Sequence, residues 1–206
     1  MRKKYTFKRV LRYAIYMTQY IGERLRGLDF SMPTAGEITR NTVENYGYCK
    51  TSERHIKRIL KMLPVDAGDG CYLDVGCGKG LTIKAAKDLN YKKVGGIDLD
   101  ERLINIAKQN MKKLKIEDVS FHLVNAMEFE GYGEYNVFFF FNPFDNTVLT
   151  PVIQKILDSV KENRRKIYVI YHHPKYREVM ENAGLKEIVS IYEWLRDCYT
   201  SVYTLD

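Results

Sequence analysis

The stretch Tyr72–Thr82, YLDVGCGKGLT, places three glycines between a short apolar run and a run with helical spacing. Glycine has no Cβ, so Gly76, Gly78 and Gly80 allow a tight turn and let a ligand come close to the backbone. Asp74 stands just before this turn. The stretch therefore predicts a strand, then a binding loop, then a helix whose N-terminal N–H groups point at the same place.

Strand-like and helix-like segments alternate on the C-terminal side of this stretch. Strands are predicted over 71–75, 92–99, 119–124, 136–141, 166–173, 187–195 and 198–205, and helices over 79–89, 100–114, 145–162 and 174–184. An earlier helix begins after Ser52 as N-cap and ends at Pro64. The pattern predicts a doubly wound α/β fold: a mostly parallel seven-stranded sheet with helices on both faces and a C-terminal antiparallel hairpin.

The charge of the chain is concentrated at its start. The chain has 206 residues and a net charge of +7. Residues 1–30 hold eight Lys or Arg against two acidic residues, which leaves 25 basic against 24 acidic residues in the remainder. We therefore predict two parts, a basic N-terminal helix with its connecting segment over 1–50 and the main domain over 51–206. The basic pI describes the first part and carries no information about the ligand of the second.

The N-terminal segment predicts an extra amphipathic helix that ends at Gly27. Its apolar stripe comprises Phe7, Val10, Leu11, Ala14, Thr18, Ile21 and Leu25, and its polar side comprises Lys8, Arg9, Arg12, Gln19, Glu23 and Arg26. Two interpretations stand side by side. In one, the stripe packs on the main domain beneath a solvated basic face. In the other, residues 1–26 touch an anionic surface, either lipid or nucleic acid.

The four cysteines, at 49, 71, 77 and 198, form no C-x-x-C pair and have no histidine cluster beside them in the sequence. We interpret them as reduced thiols, expect no metal site, and expect a cytoplasmic protein that is peripheral at the membrane if the N-terminal helix binds lipid. No stretch approaches the roughly 20 apolar residues of a membrane span.

The spacing of the loop distinguishes two classes of ligand. Dinucleotide-binding loops follow G-x-G-x-x-G with a pyrophosphate above the helix, whereas this loop has Leu81 at the position of the last glycine. Asp74 would repel a pyrophosphate and would suit a ligand with an ammonium group. Asp98, 22 residues after Gly76 at the end of the second strand, can accept both hydroxyls of a ribose. Asn125, after the third strand, can accept from an adenine amino group.

Residues 50–206 resemble the class I, seven-stranded, S-adenosylmethionine (SAM)-dependent methyltransferases. The resemblance rests on LDVGCGKG at 73–80, GIDLD at 96–100, NAMEF at 125–129 and FFFNPF at 139–144. It extends to small bacterial methyltransferases that carry GCGKG and FNPF, and more distantly to the histone-lysine methyltransferases that lack a SET domain.

The resemblance implies that SAM is the cofactor and assigns its binding residues. Asp74 and the loop Gly76–Gly80 would hold the amino acid part of SAM, and Asp98 with Leu99 the ribose end. Asn125 with Ala126 would hold the adenine, although the family usually has Asp at the first of these positions. Cys77 belongs to the same loop, and we expect it to pack rather than to act as a nucleophile.

The end of the fourth strand indicates the acceptor side. Asn142-Pro143-Phe144 is similar to the Asn-Pro-Pro-Tyr motif of methyltransferases that act on amino nitrogens, with one proline instead of two. The resemblance implies that Asn142 and Pro143 accept hydrogen bonds from the target nitrogen while an aromatic ring stacks on the acceptor. The alternative is that Asn142-Pro143 only ends the strand.

Two further features concern the acceptor. His172 or His173 can serve as a general base, and strand alternation lets one of them face the site; we predict His173 for this role. The loop 46–52 is a candidate lid through Tyr46, Tyr48 and Thr51.

The predicted activity is therefore methyl transfer from the SAM sulfonium to an N or O nucleophile, in a small molecule or in a protein amino or hydroxyl group. The alternatives are an NAD(P)-dependent oxidoreductase and a non-catalytic SAM-binding adaptor whose N-terminal helix contacts membrane or nucleic acid.

Overall fold

The computed structural model describes residues 7–31, 50–194 and 196–205, with the side chain of Arg9 excepted. The helices are α1 (Phe7–Leu25), α2 (Glu53–Met62), α3 (Leu81–Lys87), α4 (Glu101–Leu114), α5 (Asn146–Glu162) and α6 (Arg177–Asn182). The strands are β1 (Cys71–Val75), β2 (Lys93–Asp98), β3 (Val119–Leu123), β4 (Val137–Phe140), β5 (Tyr168–His172), β6 (Lys186–Glu193) and β7 (Cys198–Thr204). Nothing in the described chain is both long and apolar enough to be a membrane-spanning helix.

The strands form one sheet in the order β3-β2-β1-β4-β5-β7-β6. The first five strands run parallel, and β7 pairs antiparallel with both β5 and β6. This arrangement confirms the predicted doubly wound sheet with its C-terminal hairpin. The strand order reverses between β1 and β4, and a ligand in such sheets binds at the carboxyl ends of the strands near that point.

Apolar side chains cover both faces of the sheet. On one face, α5 and α6 pack against Leu73, Phe138 and Phe140. On the other face, α2 and α3 pack against Tyr72, Phe139 and their neighbours. Every residue of β4 is buried, which explains why its sequence is apolar without alternation.

Three of the helices begin after an N-cap residue whose side chain accepts a backbone hydrogen bond. Ser52 accepts a hydrogen bond from the backbone of His55 at the start of α2. Asp100 and Asp145 accept backbone hydrogen bonds at the starts of α4 and α5. These caps satisfy N–H groups that have no partner within the helix, and the first two confirm predicted helix starts.

The helix α1 forms where it was predicted, but its apolar stripe faces away from the sheet. Phe7 is 77% exposed and Leu25 84% exposed, whereas Glu23 is buried at 6% exposure. The interpretation in which the stripe packs on the main domain is therefore wrong. The reason is a polar cluster on the inner side of the helix, where Glu23 pairs with Lys50 and accepts a hydrogen bond from Ser31 at 2.6 Å.

The segment after α1 joins the main domain through both apolar and polar contacts. Leu28 and Phe30 belong to the core on the α2 side of the sheet. Asn110 of α4 accepts from the backbone of Asp29 at 2.9 Å and donates back to its carbonyl at 2.9 Å. Lys79 of the glycine loop contacts Asp29 at 2.9 Å. The start of the chain is thereby attached directly to the loop that the sequence singled out.

Candidate functional site

The glycine loop has the backbone that its sequence predicted. Gly76, Gly78 and Gly80 have φ angles of +84°, +52° and +82°, in the left-handed region that favours glycine. The N–H groups of Gly76 and Cys77 both donate to the carbonyl of Ile97 at 2.9 Å. The loop is thus fixed to the end of β2, and α3 begins immediately after it.

Asp98 is held at the end of β2 by backbone donors. Its Oδ2 accepts from the N–H of Gly78 at 2.8 Å, and its Oδ1 accepts from the N–H of Asp100 at 2.9 Å. Burial raises the pKa of the carboxyl, and these backbone donors oppose that rise. Leu99 follows with 52% of its surface exposed. A fixed carboxylate beside an exposed apolar side chain fits a ribose with an attached base.

Asp74 lies deeper than the sequence suggested. It is 2% exposed, and its Oδ2 accepts a hydrogen bond from the hydroxyl of Thr82. Burial raises the pKa of Asp74 well above its ordinary value, and the nearby Asp98 raises it further. The carboxyl braces the first turn of α3 from below the loop. Its role toward a ligand ammonium group stays a prediction.

The third-strand residues form a tight turn. Asn125 Oδ1 accepts from the N–H of Met127 at 3.0 Å, which closes a turn of the Asx type. Ala126 is buried, and its carbonyl accepts from the hydroxyl of Tyr132 at 2.7 Å. The turn lies beside β2, because the N–H of Val124 donates to the carbonyl of Asp98 at 3.1 Å. The predicted adenine residues and the predicted ribose residue are therefore neighbours.

The motif after β4 lies against the glycine loop. A Cβ added at Gly76 would be 2.9 Å from Pro143 Cβ, so the two turns are in van der Waals contact. Asn142 has a φ of +39°, is 6% exposed, and accepts from the hydroxyl of Tyr171 at 3.0 Å. Phe144 is 6% exposed and packs into the core beneath α5, which leaves little of its ring for stacking on an acceptor.

The two histidines at the end of β5 face different ways. His173 is exposed, has a φ of +55°, and donates its backbone N–H to the carbonyl of Tyr199 at 2.8 Å. His172 is fully buried, and burial lowers its pKa to about 3. A buried imidazole of such low basicity is a poor general base. The choice of His173 as a base stays a prediction.

Sequence reasoning missed a polar cluster between α2 and the hairpin, because its members lie far apart in the chain. His55 Nε2 and His172 Nδ1 each lie 2.7 Å from the hydroxyl oxygen of Thr200. One hydroxyl can donate to one ring and accept from the other, so both rings fit as neutral groups. Thr82 and Lys79 were also missed, and no spacing in the sequence signals their contacts.

A metal ligand set was not expected, yet the fold brings one together. His55, His172 and Glu193 place ligand atoms within 4.8 Å of one another, so these three could hold a divalent cation. Arg196 lies 3.3 Å from Glu193, and its positive charge opposes a cation there. The Thr200 hydroxyl already bridges the two imidazoles. The cluster is thus explained in large part by hydrogen bonds and one ion pair.

The lid prediction lies mostly outside the described residues, since Tyr46 and Tyr48 are not among them. Thr51 is 3% exposed. Its hydroxyl is buried with no hydrogen-bond partner in the described part of the chain. Whether the loop 46–52 closes over a ligand stays a prediction.

Comparison with known proteins identifies the family. The sequence model of a methyltransferase-domain family matches residues 68–194, which is more than half of the chain. A protein-lysine N-methyltransferase of Saccharolobus islandicus is 38% identical over 72 residues, which cover 34% of this chain and 44% of that protein. A ribosomal protein L11 methyltransferase of Thermotoga maritima is 40% identical over 45 residues, which cover 22% of this chain and 17% of that protein. The chain thus spans less than half the length of these relatives.

A solved structure shows the same fold. An RNA methyltransferase from Salinibacter ruber, in complex with S-adenosyl-L-homocysteine, superposes with a TM-score of 0.56 at 19% identity. The match covers 76% of this chain and 94% of that one. The family assignment overturns the nicotinamide-dependent alternative. This chain belongs to the class I SAM-dependent methyltransferases.

Proposed function

We propose that this enzyme transfers the methyl group of SAM to an amino nitrogen of a protein, rather than to an oxygen or to a small molecule. The observation that carries the proposal is the contact between Pro143 and Gly76. It puts the Asn142-Pro143 turn, which is similar to the motif of amino-directed methyltransferases, directly against the predicted donor loop. The names of the two relatives, a protein-lysine and a ribosomal-protein methyltransferase, support the same class of acceptor.

We assign the residues around SAM as follows. Asp98 accepts the ribose hydroxyls, with Leu99 as an apolar wall. The backbone of Gly76, Cys77, Gly78 and Gly80 lines the amino acid part, and Asp74 supports that loop. Asn125 and Ala126 border the adenine. Residues 51–206 would form this transferase unit, with 1–50 as an addition that Asp29 and Lys79 link to its loop.

Bound SAM supplies a methyl group made electrophilic by its sulfonium. The chain has then mainly to place a neutral amine in line with that methyl group, because in-line placement accounts for much of the rate in such displacements. The carbonyl of Pro143 and the side chain of Asn142 would accept N–H hydrogen bonds and direct the nitrogen lone pair toward the methyl group. The Tyr171 hydroxyl fixes the Asn142 side chain from below.

The test uses SAM carrying a labelled methyl group and a set of ribosomal proteins and lysine-rich peptides. We expect label in protein that survives mild alkali and that mass spectrometry locates on lysine or on an N-terminal amine. Asn142→Ala should lower kcat by about tenfold or more while the Kd for SAM changes less than about threefold. Asn182→Ala, at an exposed position in α6, is the matched control.

Two outcomes would refute the proposal. Label in an alkali-labile ester, or only in RNA or a small molecule, would exclude an amino acceptor. Equal kcat for Asn142→Ala and Asn182→Ala would remove Asn142 from the acceptor side.

A further inference from the structure

The side of α1 that faces away from the sheet carries apolar side chains, with the polar Thr18 among them. We call it the outer stripe; it consists of Phe7, Val10, Ala14, Ile21 and Leu25. The four large side chains are 77%, 55%, 52% and 84% exposed, in that order. At a rise of about 1.5 Å per residue the stripe is about 27 Å long. A contiguous exposed apolar surface of this kind marks an interaction site.

Polar contacts on the opposite side of α1 keep the outer stripe turned outward. Lys50 contacts Gln19 at 3.2 Å and pairs with Glu23, and both of these partners lie on the inner side of the helix. Turning the stripe inward would break this buried ion pair, which is strongly unfavourable. The contacts that attach α1 to the domain therefore keep the outer stripe exposed.

The segment that carries the stripe is positively charged. Residues 1–30 contain eight basic residues. Their two acidic residues are both engaged: Glu23 with Lys50, and Asp29 with Arg24 and Lys79. Arg12 and Arg26 are exposed, and at about 100° per residue they lie on the polar side of the helix. The helix thus belongs to a segment of charge +6 and carries no uncompensated negative charge along its described length.

Two exposed aromatic side chains lie near the N-terminal end of α1. Tyr13 is 65% exposed and Trp194, at the tip of the β6–β7 hairpin, is 53% exposed. Lys8 Nζ lies 5.3 Å from the centre of the Trp194 ring, so the hairpin tip and the helix are in contact. Tyr and Trp are the side chains that favour the boundary between water and hydrocarbon.

We propose that the outer stripe of α1 binds an anionic lipid surface, with the helix lying in the plane of the membrane interface. An amphipathic helix with large apolar side chains on one face and Lys or Arg on its polar face binds in this way. The role goes beyond the methyl transfer proposed above, because it would bring the enzyme to acceptors at the membrane surface.

Two other occupants fit the surface less well. A nucleic acid would use the cations but would leave the apolar side chains in water. A second copy of the chain would cover the stripe but would bring two segments of charge +6 together, which repel each other.

The test is co-sedimentation of the full chain with vesicles of pure phosphatidylcholine and with vesicles containing phosphatidylglycerol. We expect binding to the anionic vesicles and at least roughly tenfold weaker binding to the neutral ones. The triple variant Val10→Gln, Ile21→Gln, Leu25→Gln should lose at least roughly tenfold in vesicle affinity. The matched control, Met62→Gln, Leu123→Gln, Ile188→Gln, changes exposed apolar residues outside α1 and should bind like the parent.

The Kd for SAM, measured on all three proteins, should stay the same and shows that each variant is folded. Absence of vesicle binding by the parent overturns the proposal. So does a dimer in light scattering that the triple variant abolishes. Vesicle binding that Arg12→Glu, Arg26→Glu removes but the triple variant keeps would reduce the contact to charge alone and would also overturn it.

Discussion

The helices α1 and α2 have apolar residues at the same helical period, yet they use them in opposite ways. In α2, Ile56, Ile59 and Leu60 are no more than 2% exposed and fill the core on one face of the sheet. In α1, Ile21 is 52% exposed, and in the described structure neither core includes a residue of this helix. Periodicity alone therefore identifies a helix and its apolar face, but not what that face contacts.

The two helices differ in which of their sides makes ion pairs. In α2 the exposed side makes surface ion pairs: Lys57 contacts Glu53 and Asp88, each at 2.6 Å. In α1 the ion pair between Glu23 and Lys50 is buried, since the two side chains are only 8% and 7% exposed. A buried ion pair has to stay together once it is desolvated, so the Glu23–Lys50 pair fixes which side of α1 faces the domain.

The largest effect on stability should come from breaking the ion pair between Glu23 and Lys50. Glu23→Gln leaves the Lys50 ammonium beside a neutral amide in a buried position. We expect the free energy of unfolding to fall by about 3 kcal/mol, which corresponds to a decrease in Tm of about 6–12 °C for a chain of this size. Differential scanning calorimetry measures it, with Glu101→Gln at an exposed position of α4 as control. Equal Tm values for the two variants would mean that the ion pair does not hold α1.

The comparison of the two stripes gives a matched pair of variants. Ile59→Ala in α2 removes buried methylene and methyl groups and should cost about 2–4 kcal/mol. Ile21→Ala in α1 removes the same atoms from a half-exposed position and should change the stability by less than about 0.5 kcal/mol. Urea unfolding of both variants measures the two values. A cost above about 2 kcal/mol for Ile21→Ala would show that its stripe is packed in solution.

The parts of the fold that the sequence could predict are those where pattern and packing agree. The residues of β4 are apolar throughout and are buried throughout. The glycines of the loop have the left-handed angles that their identity allows. The face of α1 could not be predicted, because it depends on Lys50, 27 residues after Glu23. The His55–Thr200–His172 contact likewise joins residues that are 145 and 28 positions apart.

The buried carboxylates of Glu23 and Asp74 differ in their partners. Glu23 pairs with the cation of Lys50, whereas Asp74 accepts a hydrogen bond from the neutral hydroxyl of Thr82. The pKa of Asp74 is raised, so its contribution to stability is complete below the ordinary pKa of Asp and is lost as pH rises through the folded-state pKa. Asp74→Asn should therefore stabilise the ligand-free protein by about 1 kcal/mol at pH 7, or about 2–4 °C in Tm.

The gain in stability from Asp74→Asn should disappear at pH 3.5, because the carboxyl of the parent protein is then protonated and is neutral, as the asparagine amide is. Asp69→Asn, on the exposed turn before β1, should change Tm by less than about 1 °C at either pH. A lower Tm for Asp74→Asn at pH 7 would mean that the carboxylate has a favourable partner there, and that its buried charge resembles that of Glu23.

The smallest expected effect is a pH dependence that SAM binding should show and vesicle binding through the N-terminal helix should not. Asp98 has a pKa raised by burial, so it takes up a proton as pH falls at a higher pH than an ordinary Asp. If the carboxylate accepts the ribose hydroxyls, the Kd for SAM should increase as pH falls from 7.5 to 5. Asp98→Asn should bind more weakly and show no such change.

Residues 1–31 contain no histidine, so vesicle binding should be the same at both pH values. Calorimetric titration with SAM and co-sedimentation with vesicles measure the two responses on one protein. If both changed together with pH, a single titrating group would control them, and α1 and the donor loop would have to be treated as one coupled site.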